Sequence, residues 1–245
     1  MKRTIEFAYS IVVYVMFLGT FLYAVGFVGN LAVPKGIDDG APGPLAVSLL
    51  VNALLLGLFA IQHSVMARPG FKARWTKIVP RTIERSTYVL ATNICLILLF
   101  WKWQPLTQVI WDLRSPLLSG LMWALFALGW GIVLVATFTI DHFDLFGLRQ
   151  TYYPFMGREA PPIHFVKRGL YKFCRHPIML GFIIAMFATP AMTLGHLFFA
   201  SMATAYILIA LYFEERDLIN AHGEHYHEYR RTTPKLCPFS FGARK

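Results

Sequence analysis

The chain has 245 residues, 56% of them hydrophobic and 15% charged. Its apolar stretches are too long to be buried in a soluble domain of this size, which points to a polytopic membrane protein. The formal net charge of +10 would suit a nucleic-acid partner, but the basic residues lie in short loops between apolar runs, as membrane orientation demands, so none is expected.

Lys2 and Arg3 precede an apolar run, as in a signal peptide. That run continues from Phe7 to about Val33 without a small-residue cleavage pattern, so it reads as the first span. A crossing helix needs about 20 apolar residues, and this length predicts spans at 7–31, 44–66, 86–103 and 117–140. Trp101, Trp103, Trp111 and Trp123 suit an interfacial aromatic belt. A fifth and a sixth segment share Ile178 to Phe213, interrupted by Thr189-Pro190 and by Thr193-Leu194-Gly195-His196. Two full crossings need roughly 40 residues, so at least one arm should be short or tilted, and the pair should form a tight helical hairpin. The expected fold is an all-α polytopic membrane protein with about six transmembrane helices and a cytoplasmic C-terminal region.

Sidedness follows from the Lys/Arg bias of short loops. Arg68, Lys72, Arg74, Lys77, Arg81 and Arg85 follow the second span, whereas the first loop sets Lys35 against Asp38 and Asp39. The first group is expected in the cytoplasm, with Arg149, Lys167, Arg168, Lys172, Arg175 and everything from Glu214 onward, and both termini there too. Four spans plus a re-entrant hairpin give the same sidedness. No repeat or linker divides the chain, and 1–245 reads as one integral-membrane domain.

Among residues that can carry chemistry, Arg175-His176-Pro177 stands first. Proline suits the first turn of a helix, so the tripeptide is expected to open the fifth helix at the interface. Free N–H groups there, with Arg175 and His176 beside them, would hold an anionic group of a bound cofactor. Gly181, near one turn further, lets a ligand or a helix approach closely. An interfacial anchor, with Arg175 snorkelling and His176 facing water, fits the same residues. Glu214 and Glu215 close the hairpin and would receive an amine, a hydroxyl or a sulfonium; a solvated helix end neutralised by Arg216 is the bland alternative. Tyr226, Tyr229 and Arg230 fall at spacings that share a helix face. An aromatic lid and simple packing both fit Tyr226.

Asp141 and His142 end the long uncharged fourth span, where ionisable groups are functional candidates. His63, in Gln62-His63-Ser64 at the end of the second span, can exchange a proton near neutral pH. Asn52 and Asn93 lie deeper and are expected to bond helix to helix. Cys95, Cys174 and Cys237 are unclustered, and the histidines lack HxxxH or HExxH spacing, so no disulfide framework or metal site is assigned.

The pattern Gly-x-Tyr-x-x-x-Arg-His-Pro-x-x-x-Gly from Gly169 to Gly181, followed by Glu214-Glu215 and x-Gly-x-x-Tyr-x-x-Tyr to Tyr229, resembles the isoprenylcysteine carboxyl methyltransferase superfamily of membrane enzymes. The resemblance implies S-adenosyl-L-methionine as cofactor, held by Ile163, His164, Phe165, Val166, Tyr171, His176, Pro177, Ile178, Met179 and Glu214; Arg175, Gly181, Glu215 and Tyr226 join them from the reading above. Gln62 to Pro69, Glu84 to Tyr88, Asp144 to Gln150, Met192 to Leu197 and Phe213 to Leu218 are similar to one bacterial branch, whose members methylate methanethiol to dimethyl sulfide. That branch implies an inner-membrane enzyme in which residues 1–141 are scaffold and acceptor side, and residues 142–245 hold the cofactor.

Two departures bear on the acceptor. The prenylcysteine enzymes carry an Arg about one turn before the first Glu, where this chain has Ala210, and a Tyr where it has Met179. An acceptor without a carboxylate has no use for that Arg, which agrees with a small thiol. His63, Asp141 and His142 are then the candidate bases for the thiol proton. Another thiol, lipid or prenylcysteine acceptor, a membrane sterol reductase, and a non-enzymatic NnrU-like protein are the competing readings.

Overall fold

The computed structural model describes residues 1–162 and 167–236. In chain order its elements are α1 (Lys2–Gly29), α2 (Leu45–Ala67), α3 (Pro69–Trp75), α4 (Arg81–Lys102), β1 (Val109–Asp112), α5 (Pro116–Ile140), α6 (His142–Leu145), α7 (Leu148–Phe155), a 3₁₀ turn Gly169–Lys172, α8 (Pro177–Phe187), β2 (Ala191–Thr193), α9 (Leu194–His222) and α10 (Glu224–Thr232). Five of these helices, α1, α2, α4, α5 and α9, are long and apolar enough to cross a membrane. Leu22, Ile61, Leu117 and Ile209 lie exposed on their outer faces, where lipid would cover them. The chain is an all-α polytopic membrane protein.

The hairpin differs from two equal spans. Its first arm, α8, has 11 residues, which rise only ~16 Å against a hydrocarbon core of ~30 Å. Beyond Phe187 the chain leaves the helix and runs on to β2, which pairs with β1. Non-helical backbone at such depth is tolerated only where protein covers it and its polar groups are met. Ala188, Thr189 and Met192 are buried. Trp111 Nε1 donates to the Thr189 carbonyl at 3.1 Å, and Leu113 N donates to the Pro190 carbonyl at 2.9 Å. The expectation of about six helices with one short hairpin arm thus resolves into five long helices and the short α8, with Thr189-Pro190 marking the break.

The chain divides into two compact units, interleaved along the sequence. The first comprises Met1–Gln108, His142–Pro162 and Thr193–Phe199. Within it α1 packs against α4 and α7, and α2 against α4. Val13, Tyr88 and Val89 form a core joined by Phe17, Met66 and Phe146. Asn93 bonds helix to helix as expected, donating to the Val13 carbonyl of α1, whereas Asn52 ties α2 to the segment just beyond α4, exchanging two 2.8 Å hydrogen bonds with the backbone of Gln104. Lys35 donates to the carbonyls of Trp101 and Trp103 at 2.9 and 2.8 Å, meeting the unsatisfied C-terminal end of α4 with a positive charge.

The second unit comprises Val109–Asp141, Ile163–Met192 and Ala200–Lys245. Its centre is α5 against α8. A Cβ on Gly129 would meet Ala185 N at 2.6 Å, and one on Gly181 would meet the Gly129 carbonyl at 2.6 Å. Gly181 thus serves the close approach of a helix backbone. At the far end of α5, Arg168 donates to the Thr139 and Ile140 carbonyls, capping that helix with a cation.

Candidate functional site

In the second unit the ends of the α8–α9 hairpin meet, and the charged residues bracketing it in sequence form one cluster. His176 is the N-cap of α8 with Pro177 in the first turn, as Arg175-His176-Pro177 predicted. Glu215 lies in the last third of α9 and is 7% exposed. Arg175 donates to its Oε1 from Nε at 2.9 Å and from Nη2 at 2.7 Å. Arg175 Nη1 turns to the carbonyls of Arg230 and Thr233. Arg230 and Lys235 stand 3.8 and 3.9 Å from Glu215 Oε2. A carboxylate buried this deeply persists only when paired, and here cations surround it.

His176 completes the cluster. Its Nε2 lies 3.2 Å from Glu215 Oε1, and its Nδ1 lies 3.7 Å from Glu214 Oε2. Burial pushes its pKa down to about 4, against the opposing pull of Glu215, so the ring is neutral at pH 7. A neutral ring donating Nε2–H to Glu215 leaves Nδ1 as an acceptor. Glu214, its side chain 47% exposed, presents a second, anionic acceptor beside it. The pair is suited to a donor such as an ammonium or a sugar hydroxyl.

Aromatic residues and the C-terminal strap close the cluster. Tyr229 donates to the Tyr171 carbonyl at 2.6 Å. Tyr226 is 1% exposed, and burial with Glu215 nearby pushes its hydroxyl up to about 12, keeping it protonated. Residues 233–235 lie along 174–176: Arg175 N donates to Pro234 O, His176 N to Lys235 O, and Cys174 Sγ to Lys235 O. Ile178 and Met179 are half-buried in the first turn of α8. Ile163, His164, Phe165 and Val166, expected to share the cofactor, lie outside the described residues, as does Cys237.

The candidate bases divide between the two units along the chain. Asp141 belongs to the second unit, at the C-cap of α5, while His63 and His142 belong to the first. His142 is 3% exposed, with Nε2 at 2.8 Å from Tyr14 OH and its ring edge-on to that phenol. His63 sits on α2 against α4, within reach of Tyr88 OH at 2.8 Å (Nε2) and 3.0 Å (Nδ1) and of Thr92 Oγ1 at 3.3 Å. Sequence reading passed over Tyr88, Thr92 and Lys235. The first two are four residues apart in one apolar helix, a spacing that sets polar groups on one face and was the available signal.

The NnrU protein family model matches residues 50–213. A methanethiol S-methyltransferase of Mycobacterium tuberculosis is 52% identical over 239 residues, covering 98% of both chains. Methanethiol S-methyltransferase 2 of Bradyrhizobium diazoefficiens is 53% identical over 97% of this chain and 91% of its own. A nurim homolog of Drosophila pseudoobscura pseudoobscura is 30% identical over 77% of this chain and 76% of its own. No solved structure matches the chain.

Proposed function

Because the chain belongs to the NnrU family and, within it, to the methanethiol S-methyltransferases, we propose that it moves a methyl group from S-adenosylmethionine to methanethiol, releasing dimethyl sulfide. The observation that carries this reading is 52% identity running through 98% of both chains. The enzyme works in the bacterial inner membrane with both termini in the cytoplasm.

The cluster around His176 fits the methyl donor. Its half-exposed carboxylate, Glu214, and the acceptor nitrogen of a neutral His176 match an ammonium or a ribose hydroxyl. Half-buried Tyr171, Ile178 and Met179 supply aromatic and apolar surface. When bound, S-adenosylmethionine supplies a methyl group already activated by a sulfonium charge. What is left for the protein is to hold and align the partners and to exclude water. Arg175 and Glu215 serve the same site by neutralising one another, which fixes His176 and Glu214 in place.

An alkyl thiol is mostly protonated at neutral pH, and the thiolate is the nucleophile. A base must therefore take the S–H proton. His63 takes that role: it is half-buried in a transmembrane helix pair beside two hydroxyls, whereas His142 is buried against Tyr14. Methanethiol reaches it from the bilayer.

Headspace analysis tests the reading. Membranes containing the protein, supplied with methanethiol and S-adenosylmethionine, should release dimethyl sulfide. Absence of product despite measured donor binding would reassign the acceptor.

A further inference from the structure

Within the first unit, an open cleft of about 470 Å³ is lined by Arg3 at the start of α1 and by Gln150, Pro154, Arg158 and Glu159 of α7 and the turn after it. That is room for a small ligand or a headgroup. The turn is built to hold Arg158 there. Gly157 takes φ +70, its N–H donates to the Pro154 carbonyl at 3.1 Å, and the Arg158 N–H reaches back to the Tyr153 carbonyl at 2.9 Å, the left-handed ending of a helix. Gln150 is held from behind, its Nε2 donating to the Asp144 carbonyl at 3.1 Å. Arg3, Arg158 and Glu159 are exposed, and among the described residues none of the three side chains has a hydrogen-bonding or ionic partner. Opposite charges that share one cleft without closing on each other leave space between them for a third group. The lining carries two guanidiniums against one carboxylate, a net +1.

An apolar strip adjoins the cleft. Phe7 lies one turn beyond Arg3 on the same face of α1 and stacks on Phe155 at 4.8 Å, and Ile11 continues that face. Phe155, Met156 and Ile11 are exposed, and α1 is long and apolar enough to span a membrane. A soluble ligand has no use for such a strip, whereas an acyl chain does. We propose that the cleft is a binding site for a membrane phospholipid with a singly anionic phosphodiester and a headgroup ending in hydroxyls, as in phosphatidylglycerol. The phosphate sits between Arg3 and Arg158, since guanidinium groups pair with phosphate oxygens in a bidentate fork. Its single charge neutralises the lining. A headgroup hydroxyl donates to Glu159, and one acyl chain follows Phe7 and Ile11 along α1. This site is separate from the methyl-transfer reading and does not depend on it.

The test uses the delipidated full-length protein in detergent, with retained lipid read by native mass spectrometry. Phosphatidylglycerol should bind at one site at least about ten-fold more tightly than phosphatidylcholine, which carries no net charge and no headgroup donor. Phosphatidylmethanol, anionic but without hydroxyls, should fall between the two. Arg3→Gln and Arg158→Gln should each weaken phosphatidylglycerol about ten-fold, the worth of one charge-assisted contact, and the double variant should bind it no better than phosphatidylcholine. Glu159→Ala should bring the two anionic lipids level. Lys77→Gln, which removes an exposed cation just after α3, should change nothing, and unfolding midpoints of all these surface variants should stay at the wild-type value. Equal retention of phosphatidylglycerol and phosphatidylcholine, or a loss in Lys77→Gln as large as in Arg158→Gln, would overturn the site in favour of general attraction to a basic surface. Displacement of the lipid by an equal concentration of soluble glycerophosphoglycerol would overturn the lipid assignment and make the free phosphodiester the ligand. Because methyl transfer is not the readout, its absence would leave the outcome untouched.

Discussion

Arg175 and Glu215 meet at 2.7 Å with both side chains less than a tenth exposed. Their neighbours in sequence divide the work: Glu215 is consumed by Arg175 and His176, while Glu214 stays half in solvent. Removing one member of a buried pair strands the other charge and costs ~3–5 kcal/mol. Glu215→Gln should therefore lower the unfolding midpoint in detergent sharply. Glu214→Gln should leave the midpoint near wild type and weaken S-adenosylmethionine binding. A reversed pattern would show that the two acids have been assigned the wrong way round.

His176 predicts an acid-side loss of stability. Its pKa is about 4 in the folded protein against 6.5 ordinarily, because burial outweighs the attraction of Glu215, with Arg175 and Lys235 adding to the depression. The unfolded chain binds a proton that the folded one refuses between those values. The stabilisation is full above pH ~6.5 and drains as pH falls toward 4. Thermal midpoints measured across that window should decline, and His176→Gln should flatten the share of the decline that belongs to this residue.

The strap of residues 233–235 supplies the carbonyls that meet Arg175 and the backbone of 175–176. A chain ended at Thr232 loses these partners while keeping every spanning helix. It should still insert into the membrane but bind S-adenosylmethionine at least about ten-fold more weakly, each lost hydrogen bond to a charged group being worth ~1.5–3 kcal/mol. Calorimetry on the truncated protein checks this, and undiminished affinity would remove the strap from the site.

Much of this was legible in the chain, for physical reasons that also mark where reading stopped. Span length reports apolar thickness directly, so α1, α2, α4 and α5 fell close to expectation. Thr189-Pro190 announced a break, but only the pairing of β2 with β1 shows how the short arm is finished. Opposite charges at the two hairpin ends foretold a cluster. Which glutamate turns inward depends on the rotation of α9 about its axis, a property of packing that a pair of adjacent acids does not encode. That His142 pairs with Tyr14, 128 residues away, is a long-range contact no local pattern carries. The short helices α3 and α7 carry too few residues for a periodic signal.

The α5–α8 contact predicts an asymmetry among glycines. At Gly129 and Gly181 an added Cβ would lie 2.6 Å from backbone atoms of the facing helix, which cannot rotate away as a side chain would. Gly131, on the same α5, has nothing within 4 Å. Gly181→Ala and Gly129→Ala should each force the helices apart and destabilise by ~1–3 kcal/mol, the usual cost of overpacking. Gly131→Ala should be neutral or slightly stabilising, since alanine is the better helix former by ~1 kcal/mol. Because α8 begins at the His176 cluster, the two damaging changes should also weaken donor binding, and Gly131→Ala should not. Thermal unfolding and calorimetry on the three variants decide it: equal behaviour would mean that the close approach of α5 and α8 does not position the site.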